Sequence, residues 1–374
     1  MSYATESFAL DAEILAVIEG WHRGTREFSE RDFEDLALRL FEYQLRYDEP
    51  YARYCAGFGF SPLKLPERWD AIPAVPAAAF KEATLTTFDP SRAALAFQTS
   101  GTTAGAGGWH FMETRTLYDA ALVAGFERFM LPDGARLRYL NVVPNPSERP
   151  ESSLGYMMQQ VSLRFGDGQA GWYVRGDALL ADAFVADVRA AIEEGSAVCV
   201  AATAFGLLNL LDELERRDAV LPLPARSRVM ETGGFKGRSR VVSREELYTR
   251  ASRAFSLPVA SIVAEYGMTE LSTQYYDALP ARGAPYLRRK YAPPWLRTRV
   301  AGPDGATLPD ATVGALVHVD LANRSSCIAI ATEDLGVRFE PSTASAPAGL
   351  VVIGRESGAA LRGCSLDAES LLPR

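Results

Sequence analysis

The sequence predicts an α/β protein that gives way near residue 297 to a smaller β-rich part, and three observations carry this reading. Leu180, Phe184, Val188 and Ile192 form an apolar stripe at steps of four, "SAVCVAATA" has the composition of a buried strand, and "FGLLNLLDELERR" returns to helical period. Past residue 297 the pattern shortens: "TRVAGPDG", "TVGALVHVDLA", "CIAIATEDLGVRFE" and "GLVVIGR" read as strands separated by turn residues.

In chain order, residues 1–60 read as a helical cap, because Phe33, Leu36, Leu40 and Tyr43 recur at steps of three and four. The proline-punctuated stretch "PLKLPERWDAIPAVPAAAF" is expected to cross in extended form into a body spanning 61–296. Within that body, Ser243 with Glu246 three residues on marks a helix start by the capping-box pattern, and "VASIVAEYG" reads as the strand after it. Residues 297–353 form the β-rich part. Residues 354–374 are left as a short tail.

At 374 residues the chain exceeds the size at which a single core stops growing, so two or three subdomains are expected. A formal charge of -8 argues against a general nucleic-acid binder, which needs a basic face to displace counterions. No apolar run approaches the roughly 18 residues needed to span a bilayer, and the N-terminus lacks the pattern of a signal peptide. A cytoplasmic protein is expected. Cys55, Cys199, Cys327 and Cys364 show no CxxC pair, and His22, His110 and His318 are equally dispersed, so free thiols and no zinc site are expected.

Three short motifs could carry chemistry. In "FQTSGTT", Thr99, Ser100, Gly101, Thr102 and Thr103 set four hydroxyls beside a glycine, a set of donors suited to phosphate oxygens, although polar surface turns have the same composition. In "EYGMTE", Thr269 and Glu270 follow a predicted strand, where open α/β sheets gather ligands. There Thr269 would meet phosphate and Glu270 its magnesium; an ordinary helix start is the other reading. In "TEDLG" and "GR", Asp334 can accept from two ribose hydroxyls and Arg355 can reach ribose or phosphate, or either can be a turn residue.

Taken in order, "TSGTT", "ETGGF", "EYGMTE", "TEDLG" and "GR" resemble the acyl-adenylate-forming superfamily of acyl-CoA synthetases, peptide-synthetase adenylation domains and firefly luciferase, over residues 95 to 356. With "IPAVPAAAFKEATL", "ETGGFKGRSR" and "LRGCSL" added, the chain looks most like the acyl-protein synthetases of bacterial luminescence, subunits of a fatty-acid reductase complex. The resemblance implies the large N-terminal domain of an adenylate-forming enzyme, with α/β subdomains plus a smaller β-rich one. It also implies ATP and Mg2+ as cofactors and a carboxylic acid as substrate, activated as acyl-adenylate with release of pyrophosphate. Thr99 to Thr103 and Thr269 would hold phosphates, Glu270 the metal, and Asp334 with Arg355 the ribose. Gly233, Gly234, Phe235, Glu265, Tyr266 and Gly267 would surround adenine.

The departures are as informative. The superfamily's C-terminal domain, which brings a catalytic lysine, is replaced by "ESGAALRGCSLDAESLLPR", which contains no lysine. Lys236 in "GGFKGR" is the first candidate to take its place, ahead of Lys81 and Arg238, and its alternative is a solvated loop lysine. In the luminescence family a cysteine near the C-terminus accepts the acyl group as a thioester, and Cys364 occupies the matching position. A thiolate is a good nucleophile near neutral pH and Arg362 is positioned to favour it, yet a free cysteine is also a common buried filler. Tyr156, Phe205 and Leu208 are candidate walls of the acyl pocket. His110 either faces the acid or is a core residue. The acyl acceptor is then Cys364, another protein, or a small nucleophile such as an amine that attacks the adenylate directly without an acyl-enzyme; a non-catalytic nucleotide-binding subunit is the reading of a different class.

Overall fold

The computed structural model describes residues 2–99, 107–233, 242–277, 288–339 and 349–355. From the N-terminus the chain forms α1 (Tyr3–His22), α2 (Glu30–Tyr47) and α3 (Glu49–Gly57), then β1 (Val75–Pro76) and the hairpin of β2 (Leu95–Gln98) and β3 (Trp109–Met112). After α4 (Thr116–Met130), strands and helices alternate: β4 (Leu137–Pro144), α5 (Ser153–Phe165), β5 (Gly166–Arg175), β6 (Ala178–Leu179), α6 (Ala181–Glu194), β7 (Val198–Thr203) and α7 (Ala204–Arg216). They continue through β8 (Arg228–Thr232), α8 (Arg244–Phe255), β9 (Ile262–Tyr266), β10 (Tyr275–Asp277) and β11 (Lys290–Tyr291). The last strands are β12 (Leu296–Ala301), β13 (Val313–Asp320), β14 (Ala329–Phe339) and β15 (Gly349–Arg355).

The chain divides into two compact units. The first comprises Met1–Ala124, Met268–Gln274 and Tyr291–Arg374, and the second Gly125–Gly267 and Tyr275–Lys290.

In the second unit the sheet runs in the order β10-β9-β8-β7-β4-β5-β6. Strands β9, β8, β7, β4 and β5 pair in parallel, while β10 and β6 are antiparallel at the two ends. A parallel strand covered on both faces is apolar throughout, which is why "SAVCVAATA" lacks alternation and why Val198 to Ala202 are all buried. Helix α6 supplies Phe184 and Val188 to the apolar core, and α7 supplies Leu207, Leu208, Leu211 and Leu214. The helix starts are set by side chains: Thr203 accepts the Gly206 N–H at 2.9 Å and Ser243 the Glu246 N–H at 3.0 Å. Helix α6 stops at Gly195, whose φ of 68° is left-handed.

In the first unit β12, β13, β14 and β15 form an antiparallel meander, and β1 adds to β14 in parallel with Val75 opposite Ile330. The proline-rich crossing is extended at Arg68, Ile72 and β1, and winds into a 3-10 turn at Trp69–Ala71. Its alanines wind into a short 3-10 turn, Ala77–Lys81, that buries Phe80. Helix α2 begins with a reciprocal capping box between Ser29 and Asp32 and buries Phe33, Leu36, Leu40 and Tyr43 on one face.

Two buried charges in this unit make testable demands. Asp48 is fully buried and caps α3 by accepting the Tyr51 N–H at 3.0 Å; burial pushes its carboxyl up to about 8, against the opposing pull of that bond and of Arg53. Because the folded value lies above the ordinary 3.8, its contribution to stability is present in acid and is lost as pH rises from about 4 through about 8. Asp48→Asn keeps a capping oxygen, so its unfolding midpoint is expected to fall less than that of the unmodified protein between pH 5 and pH 8; an equal fall would refute the assignment. Arg324, 2% exposed, binds Asp11 through two bonds of 2.7 and 3.0 Å and Glu113 at 2.9 Å. Arg324→Met leaves Asp11 uncompensated and takes from Glu113 one of its two arginines, the other being Arg92 at 2.8 Å, and is expected to cost about 3–5 kcal/mol in denaturant unfolding, whereas a loss under about 1 kcal/mol would show that the pairs contribute little.

Candidate active site

Strands β2 and β3 bracket the "TSGTT" motif. Their register sets Phe97 opposite His110 and Gln98 opposite Trp109, and the Thr99 N–H donates to the Gly108 carbonyl at 2.8 Å. Alternation turns Leu95, Phe97, His110 and Met112 inward. Gly108 is there for space: a Cβ would lie 2.2 Å from the Phe80 carbonyl oxygen. Thr99 is 2% exposed, and its hydroxyl is buried with no hydrogen-bond partner among the described residues. Ser100, Gly101, Thr102 and Thr103 lie outside the described residues.

His110 is a buried strut. Its Nδ1 lies 2.7 Å from the Thr269 carbonyl oxygen and its Nε2 lies 2.9 Å from the Ser326 hydroxyl. A carbonyl only accepts, so Nδ1 carries the proton and Nε2 accepts from Ser326. Burial pushes the ring down to about 4 despite the bond to Thr269, which keeps it neutral near pH 7.

The segment after Thr269 is held from the other side as well. Asn323 Nδ2 donates to the Glu270 carbonyl at 2.8 Å and to that of Cys327 at 3.1 Å. Asp320, fully buried, accepts from the Ser272 N–H at 3.0 Å, the Thr273 hydroxyl at 2.9 Å and the Ala322 N–H at 2.9 Å. Burial pushes its carboxyl up to about 6, against those three bonds. Trp295 Nε1 closes the cluster on Thr273 at 3.0 Å. Thr269 and Glu270 therefore sit on a fixed backbone.

Further along the same unit, Asp334 of β14 and Arg355 of β15 are cross-strand partners. Asp334 is half-buried, and its N–H donates to the Thr332 hydroxyl at 3.1 Å.

In the second unit the ends of β8 and β9 lie side by side, with Thr232 opposite Glu265. The Thr232 hydroxyl donates to the Glu265 carboxylate, and Tyr266 packs its ring on Tyr275 at 5.6 Å. Gly233 follows with a φ of 74°, and Gly267 is half-buried. Gly234, Phe235, Lys236 and Arg238 lie outside the described residues, as does Cys364. Of the candidate acyl-pocket residues, Tyr156 is buried on α5, Phe205 is half-buried in the first turn of α7, and Leu208 is fully buried in the apolar core.

Comparison with known protein families matches residues 25–372 to "Acyl-protein synthetase, LuxE". The chain belongs to this family. Membership places it among the AMP-forming acyl ligases, and two structures of one ligase agree on the fold. A 2-hydroxyisobutyryl-CoA ligase in complex with 2-HIB-AMP and CoA, in its thioesterification state, matches with a TM-score of 0.63 at 15% identity, over 87% of this chain and 69% of that one. An open conformation of the same ligase gives 0.62 at 14% identity, over 88% and 76%. The amide bond synthetase McbA from Marinactinospora thermotolerans gives 0.48 at 18% identity over 71% of this chain, which spans 49% of that enzyme's length. No curated protein sequence matches the chain significantly.

Within this acyl-protein synthetase fold the sequence reading missed the residues that hold the site: Gln44, Asp320, Asn323 and Ser326. The run "DLANRSSC" carried the signal, since several polar residues between two strands here are all buried rather than in a solvated turn. The reading also missed a buried ionic cluster in the second unit. Lys290 Nζ donates to the Ala264 carbonyl at 2.7 Å and pairs with Asp277 at 2.9 Å, Arg288 donates to the Val259 carbonyl at 2.6 Å, and Tyr248 donates to Glu231 at 3.0 Å. Of the chain's four lysines, Lys290 is thus committed inside the fold, while Lys64 and Lys81 are exposed.

Asp320→Asn keeps one acceptor oxygen where the carboxylate serves three donors. It is expected to cost about 1–3 kcal/mol in denaturant unfolding, and a change under about 0.5 kcal/mol would show that the loop does not depend on the carboxylate.

Proposed function

We propose that the protein activates a carboxylic acid with ATP and passes the acyl group to Cys364. In the first step a carboxylate oxygen bonds to the α-phosphorus, the bond to the β-phosphate breaks, and pyrophosphate leaves. In the second the Cys364 thiolate bonds to the acyl carbon and AMP leaves. The observation that carries the reading is the Thr269–Glu270 backbone, whose carbonyls are held by His110 and Asn323 and whose continuation is held at Ser272 by Asp320, in a chain of the acyl-protein synthetase family.

On this reading Thr99, Ser100, Gly101, Thr102, Thr103 and Thr269 bind the phosphates. The buried Thr99 hydroxyl fits such a role, being a donor with no internal partner among the described residues. Glu270 suits Mg2+, which is commonly held by one or two carboxylates together with substrate phosphates. The ion, when bound, neutralises phosphate charge. Gly233, Gly234, Phe235, Glu265, Tyr266 and Gly267 take adenine; the hydrogen bond from Thr232 orients the Glu265 carboxylate. Asp334 and Arg355, paired across two strands, take ribose.

Positioning and charge neutralisation lower the barrier to adenylation, and a cation beside the α-phosphate would serve both. Lys236 is proposed for it, because Lys290 is occupied by Asp277 and Ala264. Tyr156, Phe205 and Leu208 are proposed to wall the acyl group. Residues 356–363 would act as a tether for Cys364. The reaction is proposed for the cytoplasm, where ATP is abundant and thiols such as Cys55, Cys199 and Cys327 stay reduced.

Acid-dependent exchange of labelled pyrophosphate into ATP, run over a panel of acids with Mg2+, tests the first step. Intact mass spectrometry tests the second. Cys364→Ala is expected to keep the exchange and lose the acyl adduct. Product formation undiminished in that variant would move the acceptor outside the chain, and no exchange with any acid would overturn the reading.

A further inference from the structure

The Thr269–Glu270 backbone is held by side chains that are themselves fully buried, and these connect to helix α2. Gln44, fully buried on α2, uses both ends of its amide: Nε2 donates to the Asn323 carbonyl at 2.8 Å, and Oε1 accepts the Ile328 N–H at 2.8 Å. It thereby pins both ends of the turn between β13 and β14. Two arms leave that turn. One is the Asn323 side chain, which holds the Glu270 carbonyl at 2.8 Å. The other is the Ser326 hydroxyl, which donates to His110 Nε2 at 2.9 Å and so leaves Nδ1 as the donor to the Thr269 carbonyl at 2.7 Å.

We infer that Gln44, Asn323, Ser326 and His110 are positioning residues that fix the Thr269–Glu270 backbone, and with it the affinity of the site for ATP and its metal. The inference rests on the functional reading above. Its physical basis is direction: each group has one donor-acceptor arrangement that satisfies every partner, so reversing any one bond breaks the next. Outer-shell partners of this kind typically change metal affinity or activity by about 10–100-fold when lost.

The imidazole offers a sharp test, because only its Nδ1 position serves Thr269. His110→Asn places an amide donor near Nδ1, His110→Gln places one near Nε2, and His110→Phe has none. Calorimetric titration with ATP and Mg2+ is expected to give His110→Asn a dissociation constant within about threefold of the unmodified protein. His110→Gln and His110→Phe should bind at least about tenfold more weakly. Equal affinity in all three and the unmodified protein would overturn the inference. Equal weakening in all three would overturn it too, since a packing role makes no distinction between donors.

A second measurement needs neither nucleotide nor a substitution at His110. Long-range proton–nitrogen correlation on histidine-labelled protein, with three histidines to assign, is expected to show His110 protonated at Nδ1. Ser326→Ala should shift it toward the Nε2–H form. A ring already protonated at Nε2 in the unmodified protein would refute the relay. If the unmodified protein binds no ATP, the functional reading fails, and the tautomer still decides whether the relay exists.

Discussion

A backbone that turns inside a protein must find partners for every amide and carbonyl it withdraws from water, and in the first unit that requirement falls on residues 320–328. The turn between β13 and β14 is buried almost throughout, so it cannot be solvated as a surface connection would be. Its polar groups are met from far away in the chain, by Gln44 on α2, by Asp11 and Glu113 through Arg324, and by the segment 268–274. The candidate site residues Thr269 and Glu270 owe their fixed backbone to this arrangement. Stability and the geometry of the candidate site are therefore one problem here.

The second unit solves a different problem. Its central strands β7, β8 and β9 are buried nearly throughout, and the acid Glu231 on β8 is balanced in that interior by Lys290. Burial pushes Glu231 up and Lys290 down, and the Coulomb pull between them acts against both shifts. Glu231 directly precedes Thr232, whose hydroxyl donates to Glu265, so the buried acid adjoins in sequence the residues proposed for adenine.

Much of this was legible in the sequence wherever a pattern is local. The stripe from Leu180 to Ile192, the apolar run of β7, the Ser243 cap and the short strands after residue 297 each declare themselves within a dozen residues. The ordered set of motifs pointed to the right family for the same reason. His110, Asp320, Asn323 and Gln44 were not legible, because each is a lone polar residue whose meaning lies in partners far along the chain: 159 residues separate His110 from Thr269 and 279 separate Gln44 from Asn323. No periodicity or motif registers such a pairing. The crossing at Ala77–Lys81 misled for a milder reason, since alanines beside prolines have no strong preference for strand and wound into a 3-10 turn.

The pairing of Asp334 with Arg355 has a geometric corollary. Residue 355 is tied into a sheet, and Cys364 follows nine residues later. A fully extended chain covers at most roughly 3.5 Å per residue, so the thiol is leashed within about 30 Å of the strand that carries the ribose-binding candidates. On the proposed reading, a nucleophile within that distance meets the acyl-adenylate at an effective concentration set by chain geometry and not by diffusion through the cell, so capture of the activated acid by its own enzyme would compete with water and with free thiols.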